Sequence, residues 1–330
     1  NNVKRKEFEN YMKWVVSQLN NLHFTATVEN ISHDEEGFTV NVNGQPFRSR
    51  NIIMGAGLTS NIPACCQPFL SSTLFHSSQF LKKYNHYRGK AIAIVGGGQS
   101  SCEIIKFILE QNQEDLPSFI HWIFKGHKLN VLEDTPFANE LYTPNYSEYI
   151  YSLPGEDRVK LIEQEKYTSD GVSKSTLEEV YDLLCHARFN TACKIEIYND
   201  CSLTGLEKKE DHYALHLSNP NCLLESDMLI LGTGFYYRMP KCIEHLSERY
   251  HTEKGVFMVD NKFRLMPKSP LNGNIFIHNG AKHVRGVADP NLSLIAWRSA
   301  IIVNTLLGKE VYKVDNEKTI FQWNGHTTEK

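Results

Sequence analysis

The chain has 330 residues, 41% hydrophobic and 22% charged, with a formal net charge of -3, enough material for a globular core and, by length, two domains. That charge argues against nucleic acid or an anionic membrane as the main partner, and the most apolar run, Leu292 to Leu307, is interrupted by Arg298 and Asn304 and too short to span a bilayer. Eight scattered cysteines without a Cys-x-x-Cys fit a reducing, cytoplasmic setting, and no histidine stands at metal-ligand spacing with another ligand, so no metal is expected.

Phe8, Tyr11, Met12, Val15 and Leu19 recur at helical spacing and predict an amphipathic helix over Glu7 to Leu22. The chain opens on Asn1 and runs straight into this helix, so a segment upstream is left open. Strands are expected over Phe24 to Ile31, Phe38 to Val42 and Phe47 to Met54, with a turn at Asn43-Gly44. The last runs into Gly55-Ala56-Gly57, with Pro63 shortly after.

The organising stretch is Ala91 to Glu103. A short apolar run is followed by Gly96-Gly97-Gly98 and then by helical periodicity through Ile104, Ile105, Phe107, Ile108 and Leu109. Strand, tight turn and helix are the context in which such glycines hold a dinucleotide pyrophosphate. Gly96 makes the turn, and Gly98 lets backbone approach the phosphates. Ser101 stands where a third glycine would let helix press on strand, and the helix N-terminus offers unpaired N–H groups. The alternative is an ordinary strand-to-helix turn of an α/β protein.

The next strand, Phe119 to Phe124, ends in Lys125-Gly126-His127-Lys128. An NAD site usually carries Asp or Glu there for the ribose hydroxyls; basic residues suit a 2′-phosphate. NADPH is therefore expected, with Lys125 its leading phosphate contact; the alternative is a solvated surface lysine. Asp134 to Glu140 opens a helix, Tyr142 to Tyr151 is rich in tyrosine, and Thr168 to Gly171 reads as a turn. Ser175 with Glu178 makes a capping box for a helix through Leu184. This insertion, about residues 127–190, either shapes the substrate side or serves packing alone.

Ile195 to Tyr198, Leu203 to Leu206 and Tyr213 to Leu217 read as strands, with a turn at Asn219-Pro220-Asn221. Asp227 to Gly234 then repeats the earlier pattern of strand and Gly-x-Gly. The chain thus reads as two nucleotide-binding units, the first without its opening glycine turn; the alternative is one such unit with a β-rich cap. A helix from Leu294 to Leu307 stops at Gly308, its start either facing a polar ligand or capped within the core. The tail after Val314 is polar and expected to be loosely held.

Four motifs occur in order: Gly96 to Ser101, Asp134 to Glu140, Leu231-Gly232-Thr233-Gly234-Phe235, and Asp289 to Arg298. With Arg5 to Phe8, Tyr11 and Trp14, the set resembles the flavin-dependent N-hydroxylating monooxygenases of siderophore biosynthesis over nearly the whole chain. The resemblance implies an α/β flavoprotein of the two-dinucleotide-binding-domain type. A Rossmann-like NADP domain (86–235) is inserted in a partial FAD domain (1–85 and 236–330). It also implies FAD and NADPH as cofactors and O2 and a primary amine as substrates. NADPH reduces the flavin, oxygen adds to it as a C4a-hydroperoxide, and the free amine takes the distal oxygen.

Carried over by residue, the resemblance puts Gly96, Gly97, Gly98, Gln99, Ser100, Ser101, Lys125 and Ser169 on the cofactors, and Pro290, Asn291 and Leu292 along the flavin. Asn139 and Ser293 fall to the substrate, and no catalytic acid or base is named. Lys166 to Gly171 resembles the lysine and diamine hydroxylases more than the ornithine ones, so L-lysine is favoured, with ornithine, cadaverine and putrescine as alternatives. The opening FAD glycine motif has no counterpart here. That leaves room for a non-catalytic NADPH-binding fragment or interaction subunit, or for a reductase without an amine substrate. A homo-oligomer is compatible with all of these.

Overall fold

The computed structural model describes residues 3–190, 193–218, 223–314 and 319–323. The first helix, α1, spans Arg5–Ser17, shorter than its periodicity predicts, and none of its residues is buried. Its stripe of Phe8, Tyr11, Met12 and Trp14 lies exposed.

An antiparallel meander follows: β1 (Val28–Asp34), β2 (Gly37–Val42) and β3 (Gln45–Ser49). Asn43 and Gly44, both at positive φ, make the tight turn that suits the twist of a hairpin. Two expectations need correction. Strand begins at Val28 rather than Phe24, and the stretch from Phe47 to Met54 is two strands. Its second part, β4 (Ile52–Met54), leaves the meander to pair elsewhere.

After β5 (Thr59–Ser60), β6 (Leu74–His76) and α2 (Phe80–Lys83) comes the glycine unit: β7 (Ala91–Val95), α3 (Gln99–Leu109) and β8 (Phe119–Ile123). The insertion consists of α4 (Pro136–Asn139), α5 (Pro144–Ser152), α6 (Gly155–Gln164), α7 (Tyr167–Asp170) and α8 (Lys174–Asn190). The expected turn at Thr168 to Gly171 is mostly the helical turn α7. The capping box is also corrected: α8 starts at Lys174, so Ser175 lies inside it, and the Leu177 N–H donates to the Ser173 carbonyl at 3.1 Å.

The strands β9 (Lys194–Tyr198), β10 (Leu203–Lys208), β11 (Tyr213–Leu217), β12 (Leu223–Ser226) and β13 (Met228–Leu231) follow. The expected turn at 219–221 lies outside the described residues. A parallel five-stranded sheet has the order β6-β13-β7-β8-β9. Its alternate residues face two layers, as the strand period requires. Ile92 and Ile94 pack on Ile104, Ile105 and Ile108 of α3, whereas Ala93, Leu229 and Leu231 meet Leu215 and Leu217 of the second meander. β6 lies within residues 1–85, yet it belongs to this sheet.

The chain returns through β14 (Phe235–Tyr236), which pairs antiparallel with β5. Beyond it are α9 (Lys241–Glu244), the hairpin β15 (Thr252–Glu253) with β16 (Val256–Phe257), β17 (Ile275–Ile277), α10 (Lys282–Arg285) and α11 (Ile295–Leu307). β17 lies parallel to β4, and around this pair a second core gathers Ile31, Phe38, Phe257, Phe276 and Ile302. Gly308, at φ +63°, ends α11 in the left-handed conformation common at helix C-termini. The tail is partly corrected: residues 319–323 pack through Phe321 and Trp323 on the insertion.

Candidate functional site

The glycine turn sits at the carboxyl end of β7, where ligands of open α/β sheets bind. At Gly96, with φ +135°, a Cβ would fall 2.1 Å from the Gly232 carbonyl oxygen, so the two glycine turns touch backbone to backbone. At Gly232 a Cβ would lie 1.9 Å from Ser101 Oγ. Ser101 is fully buried, and its hydroxyl spaces α3 from this second turn without a hydrogen-bond partner. Gly98, the N-cap of α3, borders open space, and no side chain caps the helix there. The Gln99 and Ser100 N–H groups stand in the first turn, where helix geometry supplies them no partner. An open, uncapped, glycine-lined helix start is what a pyrophosphate requires, so these residues fit a dinucleotide.

The Gln99 side chain is engaged with protein. Its Oε1 accepts from the Ser173 N–H at 2.8 Å, and its Nε2 donates to Thr176 Oγ1 at 3.1 Å and to Glu103 Oε1 at 2.9 Å. It ties the glycine turn to the start of α8, leaving its backbone N–H toward a ligand. Val95 pairs with Ile123, so Lys125, exposed just past β8, lies beside the turn.

In the insertion, Thr135 caps α4 by accepting from the Ala138 N–H at 3.2 Å, and Pro136 takes the first helical position. This presents Asn139 exposed, at the end of α4. Tyr142 Oη then donates to the Thr168 carbonyl at 2.6 Å, joining this helical stretch to α7. Ser169 Oγ donates to Asp170 Oδ1 at 2.8 Å and accepts from Lys282 Nζ at 3.4 Å, which links α7 to α10. Arg285, fully buried, makes a second link: it donates to Glu148 Oε1 of α5 at 2.8 Å and stacks on Tyr151 and Phe263.

The approach to α11 is held by a buried ion pair. Arg298 Nη1 donates to Asp289 Oδ1 at 2.8 Å, while Asp289 Oδ2 accepts from the Ala281 N–H at 2.8 Å. Asp289 is therefore a structural anchor. Asn291 caps the turn beyond by accepting from the Ser293 N–H at 2.9 Å, and Asn291, Leu292 and Ser293 stay exposed. After β4, Gly55 and Gly57 also border open space. Both segments are thus open to a ligand.

Of the residues expected at the site, the structure sets Lys125 beside the glycine turn and ties Ser169 of α7 to α10 through Lys282, while Asn139 and Ser293 are exposed on separate elements. Sequence reasoning missed His76. The Ser78 N–H donates to its Nδ1, so Nε2 carries the proton and donates to the Gly234 carbonyl at 2.9 Å. Burial holds its pKa below the ordinary value and keeps it neutral. It also missed Glu165, whose pKa burial raises although Tyr146 donates to it. Neither belongs to a local motif, so no spacing could have marked them.

A family model described as L-lysine 6-monooxygenase/L-ornithine 5-monooxygenase matches residues 1–252. The chain is 32% identical to the L-lysine N6-monooxygenase of Escherichia coli, over 98% of this chain and 78% of that protein. It is 28% identical to the putrescine N-hydroxylase of Acinetobacter baumannii, over 99% of this chain and 75% of that one. Among solved structures, the cadaverine monooxygenase DfoA of Erwinia amylovora, bound to FAD, superposes with a TM-score of 0.87 at 25% identity. That match covers 99% of this chain and 78% of DfoA. The ornithine N-hydroxylase KtzI of Kutzneria, with reduced FAD and NADP+, shares the fold at a TM-score of 0.84 and 22% identity, over 92% of this chain and 77% of that one. By name these relatives are monooxygenases or N-hydroxylases of lysine, putrescine, cadaverine or ornithine, and the family is FAD- and NADPH-dependent. With an α/β fold of the same two-nucleotide kind and the glycine turn in place, the chain belongs to the L-lysine 6-monooxygenase/L-ornithine 5-monooxygenase family.

Proposed function

We propose that this protein N-hydroxylates the side-chain amine of L-lysine with NADPH, FAD and O2, in siderophore biosynthesis. The observation that supports it best is that Tyr142 donates to the Thr168 carbonyl and Lys282 to Ser169, which ties the insertion carrying Asn139 to α10, while Ala281, just before α10, donates to Asp289.

In this reading the backbone N–H groups of Gly97 to Ser100 hold the pyrophosphate of NADPH, and Lys125 neutralises its 2′-phosphate. Ser169 adds a contact to the cofactor side. Pro290, Asn291 and Leu292, with the open backbone at Gly55 and Gly57, line the flavin. FAD, held there, would supply the redox chemistry of hydride uptake and oxygen transfer. The Asn139 amide and the Ser293 hydroxyl orient the amine. The amine is reactive as a free base, so partial desolvation beside Asn139 and Ser293 would favour the reactive form. No side chain is assigned proton transfer.

The chain is proposed to divide as read from the sequence, with one change: the first crossing falls between β5 and β6, opposite the return at β14. All seven described cysteines are free, which supports a cytoplasmic setting. Among the described residues no helix is long and apolar enough to cross a membrane.

The test is hydroxylamine formation by the FAD-loaded protein with NADPH and each of lysine, ornithine, cadaverine and putrescine. The highest kcat/KM with lysine is expected; a preference for a diamine would replace lysine as the substrate. NADPH oxidation that no amine alters, without hydroxylamine, would leave a reductase.

A further inference from the structure

The tail makes contacts that none of the sequence motifs anticipates. Residues 319–323 lie across the outside of the insertion and grip it at two places. At the first, the Ile320 N–H donates to Glu140 Oε2 at 3.0 Å, and the Phe321 ring lies 5.7 Å from that of Phe137. Phe137 and Glu140 are three residues apart and share a face of the helical turn. Asn139 stands between them in sequence, roughly 200° round the helix from Phe137, so its exposed side chain is left free.

At the second place, Trp323 meets Tyr146 edge-on at 4.6 Å and stacks on Tyr149 at 6.0 Å. Tyr146 is fully buried and donates to Glu165, whose carbonyl accepts from the Thr168 N–H at 3.0 Å and from Thr168 Oγ1 at 2.8 Å. The two rings therefore bear on both sides of the site: Phe321 on the helix of Asn139, and Trp323, through Tyr146 and Glu165, on α7.

We propose that Phe321 and Trp323 are positioning residues for the amine, the tail serving as a strap that fixes the setting of Asn139. α4 is a single helical turn with no buried residue of its own. A helix that short is not stable by itself, so its orientation depends on what packs against it. Here two things do: the Tyr142 bond to the Thr168 carbonyl that follows the helical turn, and the strap, which touches Phe137 and Glu140 from outside the insertion. The proposal rests on the reading that Asn139 meets the amine.

The test compares the FAD-loaded protein with Trp323→Ala, Phe321→Ala, Trp323→Phe and Asn139→Ala. It measures KM for lysine and for NADPH, kcat, and amine binding by calorimetry. An aromatic pair is worth enough for the two alanine variants to raise lysine KM and weaken lysine binding by about threefold to tenfold. NADPH KM should stay within about twofold, and Trp323→Phe should restore most of the loss. If Asn139→Ala weakens lysine binding while both tail variants match the parent, the strap has no such role and the proposal falls. If the tail variants damage NADPH and lysine constants alike, their role is general stability, and the proposal falls again. If Asn139→Ala leaves lysine binding unchanged, the substrate reading fails first and takes the strap with it.

Discussion

The five-stranded sheet and the β4–β17 pair are both parallel, yet they are held in different ways. In the sheet, β7 and β13 are almost wholly buried between α3 and α8 on one face and a meander on the other. Parallel strands are normally covered on both faces, and these are. In the pair, β17 is buried but β4 leaves Ile53 half exposed, and polar anchors replace some of the apolar cover. Arg285 and Arg298 are both buried, and both lie over Phe263. One half is secured by layered hydrocarbon and the other depends more on individual side chains, so single substitutions separate them.

The largest effect is expected where the second half concentrates its charge. Arg298→Met leaves the carboxylate of Asp289 buried without its partner, and breaking a buried pair in this way costs about 3–5 kcal/mol. Chemical denaturation of the variant should show this loss. An unchanged midpoint would mean that the β4–β17 half does not rest on its ion pair.

In the sheet, the corresponding weak point is backbone. Gly96→Ala forces a Cβ onto the Gly232 carbonyl at a φ that side chains rarely adopt, and about 3 kcal/mol of stability should be lost. Gly98→Ala meets open space at an ordinary φ, so its melting temperature should stay near the parent's. Two alanines two residues apart thus distinguish a glycine required by packing from one available to a ligand. Equal losses at both positions would erase that distinction.

The same contrast explains what was legible. Strand, glycine turn and helix are contiguous from Ala91 to Leu109, so periodicity and glycine placement locate them without a partner. The pairing of β4 with β17, by contrast, joins residues more than 200 positions apart, and nothing local in Ile52-Ile53-Met54 distinguishes it from the end of the meander. Residues 319–323 depart from the loosely held tail expected of a polar stretch because Phe321 and Trp323 contact Phe137 and Tyr146, which composition does not reveal. Gln99 was assigned to the cofactor from its motif, while its side chain ties α3 to α8, a pairing set by tertiary structure.

Lys125→Ala should leave both halves intact and change only selectivity. Lys125 is exposed, so its loss costs the fold little. A charge-assisted contact to a phosphate is worth about 1.5–3 kcal/mol, so preference for NADPH over NADH should narrow by about tenfold or more. Steady-state kinetics with the two cofactors would show it, and an unchanged ratio would remove Lys125 from the phosphate site.

The mildest effect should be common to both halves. Burial holds the pKa of His76 and His121 in the sheet, and of His278 and His283 near β17, below the ordinary value of about 6.5. Glu196 near His121 and Asp289 near His278 and His283 work against burial, and Arg298 near His278 adds to it. Folded, all four stay neutral at pH values where the unfolded chain already takes up protons. The unfolded state then binds more protons, so stability rises with pH across that interval. It is fully present above about pH 6.5 and is lost as pH falls through the folded values. Thermal melts between pH 7.5 and 5.5 should therefore show a falling midpoint, with both halves unfolding together because each carries two such histidines. Two transitions that separate on acidification would show that one half holds its histidines neutral more firmly. His76→Gln and His278→Gln, made singly, would identify it.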